Sequence, residues 1–127
     1  MAVFEFPTGL DELAHFSVKR VQTWGSSYDR QYKESIRIAA NLPAEISNHY
    51  VWFVFVVRCV VAQSRGRVAN QIPDVENIPK LIVDAFIGVL YPDDHLHYVR
   101  GVQVEAVFGP DNQETAEVWI FGKPREM

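Results

Sequence analysis

From Tyr50 to Ala62 the chain is almost unbroken in aromatic and β-branched residues, with Arg58 the sole charge. Such a run predicts a central strand buried on both faces, because a strand with one wet face would alternate with polar residues. Elsewhere the period changes. Tyr28, Tyr32, Ile36 and Ala39 recur at helical spacing while Asp29, Arg30, Lys33, Glu34 and Arg37 fill the other face. Ser26 and Ser27 offer a cap before that helix, and Asn41-Leu42-Pro43 stops it.

A second helix is predicted from Ile78, Leu81, Ile82, Ala85, Phe86 and Val89, which follow the i, i+3, i+4 pattern. Pro79 is tolerated only in a first turn, where no amide donor is needed, so the helix starts near Glu76 or Asn77. Read as a straight helix from Ile78 to Leu90, it spans roughly 20 Å at ~1.5 Å per residue. Val3 to Phe6 and Leu13 to Val21 read as short strands joined by a Pro7-Thr8-Gly9 turn. Leu96, Tyr98, Val102, Val104, Ala106 and Phe108 alternate as a long strand, and Gly109 to Asn112 turns it into a returning strand, Thr115 to Gly122, as a hairpin. The layout is α+β: one mixed β-sheet with two main helices in a single domain spanning residues 1–127.

Composition narrows the class. At 48% hydrophobic residues in 127, the chain can bury one core without staples and is not disordered. The formal charge of −4 is not that of a bulk nucleic-acid binder, so any DNA contact must come from local basic clusters. The lone Cys59 excludes an intramolecular disulfide and, in its apolar run, reads as an inert buried thiol. The N-terminus lacks a signal-peptide pattern, and the longest apolar run falls far short of a membrane helix, which needs about 20 residues. A soluble cytoplasmic protein with no membrane partner is expected.

The chemistry concentrates around the second helix. Asp74 and Glu76 precede it, Asp93 and Asp94 follow it, and Lys80 sits in its first turn. With these four acids set aside, the remaining acids equal the basic residues in number, so the net acidity belongs to this region. Carboxylate oxygens are the donors a hard cation such as Mg²⁺ takes. A divalent ion can activate water and polarise a phosphoryl oxygen, and Lys80 can offset charge developing in the transition state. The same spacing also suits an ordinary helix start with a Glu76–Lys80 pair at i, i+4.

The string Asp74-x-Glu76-Asn77-x-x-Lys80, followed by Asp84-Ala85-Phe86-x-Gly88 and then Asp93-Asp94, resembles the RusA family of Holliday junction resolvases over residues 72–99. The resemblance implies that Asp74, Glu76 and Asp94 are catalytic acids and metal ligands, with Lys80 the essential lysine. It further implies a Mg²⁺-dependent homodimer, with Mn²⁺ an alternative ion, that nicks branched DNA at four-way junctions in recombination and repair. Such proteins are often encoded by prophages. Glu76 stands where the family pattern has aspartate, and a basic N-terminal stretch is reduced to Lys19-Arg20. A noncatalytic junction-binding protein retaining the fold is the rival reading. Because the acids flank a straight helix, composite sites across a two-fold dimer are expected.

Lys19, Arg20, Arg65 and Arg67 are the candidate DNA-binding residues, Arg65 and Arg67 flanking Gly66 in a loop before the acids. Scattered surface arginines account for them equally well. Arg100 shares the apolar parity of its strand and must meet an acid, a phosphate or a subunit boundary. His95 and His97 alternate on one face but lack a third ligand of their kind. Trp52 reads as core, and Trp24 as the one tryptophan placed to wedge into unpaired bases.

Overall fold

The computed structural model describes residues 6–21 and 29–126. Tyr50–Ala62 forms β2, the whole of the apolar run, and Asp29–Ala40 forms α1 with Tyr32 and Ile36 buried. Asn41 follows α1 at φ 48°, the left-handed conformation asparagine tolerates at a helix end, and its amide closes on Arg37 O at 3.2 Å. β1 is Asp11–Val18, α2 is Asn77–Asp84, β3 is Val99–Gly109 and β4 is Thr115–Pro124. The predicted start of α2 is correct. The expected Val3–Phe6 strand and the Ser26, Ser27 and Trp24 assignments fall on residues outside those described, apart from Phe6, which is not in a strand.

The four strands lie in the order β1-β4-β2-β3, with β2 parallel to β3 and antiparallel to β4. The predicted β3–β4 hairpin is therefore overturned. Both strands exist, but β2 lies between them, because a strand with buried apolar side chains needs its polar backbone groups paired along both edges.

Odd positions of β2 (Phe53, Phe55, Val57, Cys59 and Val61) join the main core with Ile36 and with Ile78, Leu81, Ile82 and Phe86. Even positions face the other side, where Val56 packs with Trp119 and Phe121, while Arg58 is exposed. β2 is thus buried fully on one face and only in part on the other.

A register shift between Phe53↔Val99 and Val54↔Gly101 makes Arg100 an extra residue in β3. That bulge defeats the parity argument: Arg100 is exposed, lies 5.3 Å over the Trp52 ring and donates to Leu96 O. Trp52, expected in the core, is only half-buried beneath it.

The second helix is shorter than its apolar pattern. α2 ends at Asp84, and Gly88 at φ 87° reverses the chain, its amide donating to Tyr91 O at 2.7 Å. Ala85 and Phe86 remain fully buried, but Val89 is 38% exposed. A reversal needing positive φ, which glycine supplies, overrides the helical period.

Candidate functional site

α2 runs antiparallel to β2. At its start Ile78 lies with Val61, Ala106 and Phe108 around one apolar hollow; past its end Phe86 meets Phe55 and Tyr91 meets Phe53. Asp74 and Glu76 therefore stand near the last residues of β2, while the segment carrying Asp93 and Asp94 leads into β3 beside its first residues. At ~1.5 Å per residue the eight residues of α2 span about 12 Å. The straight helix to Leu90 is corrected, but the acids still lie toward opposite ends of it.

At the C-terminal end of α2 two carboxyls meet. Burial raises the Asp84 carboxyl above its ordinary range, and a side-chain hydrogen bond with Asp94 and its charge raise it further. The charges of Lys33 and Lys80 oppose that rise. Lys80 stands one turn before Asp84 on α2, whereas Lys33 comes from α1. The same helix sends Arg37 to Ala85 O at 3.0 Å, satisfying a carbonyl at the end of α2. Beneath the acids, burial raises the Tyr91 hydroxyl, followed by the charges of Asp94 and Asp84, and that hydroxyl donates to Val83 O at 2.6 Å.

At the other end, Asp74 Oδ1 accepts the Glu76 amide at 3.0 Å and Asp74 O accepts that of Asn77. Asp74 thus helps turn the chain into α2. Both Asp74 and Glu76 are exposed. No three His, Cys, Asp or Glu side chains converge as a ligand set among the described residues, so Asp74, Glu76 and Asp94 do not form one cluster within the chain. Asp84 pairs with Asp94 instead, within electrostatic reach of Lys33 and Lys80. The i, i+4 spacing of Lys80 and Asp84 was legible in the sequence; the approach of α1 was not.

The candidate DNA residues divide. Lys19, Arg20 and Arg67 are exposed. Arg65 has an internal role: its Nη1 donates to both Glu114 oxygens at 2.9 Å and to Val21 O, and its Nε donates to Gln71 O. Glu114 also accepts the amides of Val21 and Ala62. Burial alone would raise the Glu114 carboxyl, but these hydrogen bonds and the charge of Arg65 hold it below its usual range. Four stretches of chain meet at this pair.

Cys59 behaves as its surroundings dictate: burial, then the charge of Glu114, pushes the thiol up to about 12. It is no nucleophile at neutral pH. His95 and His97 meet edge to face at 5.2 Å, both exposed. No family model matches this chain, and no curated protein matches it.

Proposed function

We propose that this protein is a divalent-metal-dependent endonuclease for branched DNA, of the RusA type, cutting four-way junctions by paired nicks. The observation that carries the reading is the pairing of the Asp84 and Asp94 carboxyls at the end of α2, with Lys80 one turn before Asp84 on the same helix. The paired carboxyls offer hard oxygen donors, and that donor chemistry fits Mg²⁺ or Mn²⁺. Asp94 and Asp84 would hold the ion, with Asp74 and Glu76 as the ligands the resemblance adds. When bound, the ion supplies Lewis-acid polarisation of a phosphoryl oxygen. Lys80 and Lys33 neutralise charge that grows on the phosphate, and Lys19, Arg20 and Arg67 grip the backbone.

The separation of the acids within one chain makes a second copy part of the proposal. A two-fold homodimer with antiparallel α2 helices would set one chain's helix start beside the other's helix end. The outward stripe of α2, Asn77, Lys80 and Asp84, is polar. The apolar contact would therefore come from the neighbouring edge strand β3, where Val102, Val107 and Phe108 are 42%, 48% and 52% exposed.

The same separation favours a second reading, a noncatalytic junction-binding protein in which the acids never share a metal. A nicking assay on a synthetic four-way junction with Mg²⁺ and Mn²⁺ decides between them. Paired cuts lost in Asp94→Asn support the nuclease. Tight junction binding without cuts in either metal supports the binder.

A further inference from the structure

A hollow of about 420 Å³ opens where β2 and β3 begin. Its walls include Tyr50 and Tyr98, both half-buried, with Tyr91 and Phe53 beneath. Ring contacts link these side chains: Tyr50–Phe53 at 6.4 Å, Phe53–Tyr91 at 5.7 Å and Tyr91–Tyr98 at 6.4 Å. Arg125 stands at the rim, its Nε tethered to Asn48 O at 3.0 Å, and Ser47 and Asn48 add polar edges. The reversal at Gly88 forms another wall, and the Cβ position of Gly88 meets nothing within 4 Å.

The volume lies in the range of small-ligand sites, about 300–1,000 Å³. Flat aromatic walls, one cation and a few polar edges suit a planar heteroaromatic ring carrying an anionic group. Tyr91 is held in place by its hydroxyl, which donates to Val83 O at 2.6 Å.

We infer that this hollow captures one unstacked nucleobase, with Arg125 on the phosphate attached to it. The inference rests on the nuclease reading for its biological setting and deepens it. An intact duplex keeps its bases stacked, whereas a branch point can release one, so the hollow would select branched over linear DNA. Base stacking on aromatic side chains tolerates any sequence, so this selection would be one of structure.

The test uses the full chain and two exposed rim positions, Val51→Trp to plug the hollow and Arg125→Glu to reverse its charge. Deoxyadenosine monophosphate is titrated against the ¹⁵N-labelled protein, with 2-deoxyribose 5-phosphate as the base-free control. The expected result is that amide shifts centre on Val51, Gly88 and Tyr98. The control should bind about tenfold more weakly or worse, and Val51→Trp should lose the nucleotide by a similar factor. The preference for a four-way junction over duplex should then fall several-fold in both variants, with duplex affinity unchanged in Val51→Trp.

Equal binding of nucleotide and base-free control, or parent-like nucleotide binding by Val51→Trp, would overturn the inference. If the parent protein captured the nucleotide yet neither bound nor cut a junction, the nuclease reading would fail while the site stood.

Discussion

Arg65 and Glu114, 49 residues apart, form a two-oxygen ion pair at 2.9 Å in which Glu114 also receives the backbone amides of Val21 and Ala62. The pair ties the ends of β1 and β2 to the loop after β2 and to the start of β4. Removing either partner leaves charge or backbone donors unsatisfied in a half-buried place. Arg65→Met should cost about 1–3 kcal/mol in urea unfolding. The pH dependence has a definite sign. Because the folded carboxyl titrates below the ordinary 4.5, its stabilisation is full above that value and is lost as pH falls through the depressed one. Glu114→Gln should be less stable at neutral pH and show a flatter acid limb; parallel acid limbs would contradict this account.

Arg65 and Arg67 should separate in DNA binding. Arg67 is exposed, so Arg67→Ala should leave the melting temperature in place and lower the salt slope of junction binding by about 0.9 for each phosphate left unneutralised. Arg65→Ala should act through stability. A parent-like salt slope in Arg67→Ala, measured by fluorescence anisotropy, would remove that residue from the proposed grip.

Cleavage should depend on the end of α2 at least as much as on its start. Asp94→Asn and Asp84→Asn preserve shape and remove charge, so nicking should fall by orders of magnitude while junction binding survives. Lys80→Met should lose about 10²-fold or more, since a neutral chain cannot offset phosphoryl charge. Quantified nicking against binding by gel shift checks each. An Asp84→Asn protein cutting at the parent rate would confine the chemistry to the other acids.

Millimolar Mg²⁺ should raise the parent melting temperature, because an ion that binds only the folded state stabilises it by mass action. Asp94→Asn should blunt the shift. Melts that ignore both Mg²⁺ and Mn²⁺ would argue against an ion between these carboxyls.

Gly122 of β4 offers a test of packing. A Cβ there would lie 2.7 Å from Tyr50 Cδ1 and 2.9 Å from Leu13 Cδ1, too close without a shift of two packed side chains. Gly122→Ala should destabilise by about 1–3 kcal/mol. Gly101→Ala, whose nearest neighbour would be Val54 at 3.4 Å, should cost less. Chemical unfolding of both variants compares them directly.

The sequence by itself determined the elements whose cause is local. The apolar run of β2, the period of α1 and the place of Pro79 each bind neighbouring residues to one geometry. The chemistry-bearing stretch from Asp74 to Asp94 was legible for the same reason, as charges bracketing an apolar period. Tertiary structure decided what depends on residues distant in the chain. It set β2 between β3 and β4, because pairing is settled by which buried strand needs backbone partners on both edges rather than by which turn is shortest. It ended α2 at Asp84, since the buried packing of Phe86 and the Gly88 reversal outweighed the helical pattern. It turned Arg100 outward through a one-residue bulge and bound Arg65, in the loop after β2, to Glu114, just before β4. It also brought Lys33 of α1 within electrostatic reach of Asp84, through packing that no spacing along the chain encodes.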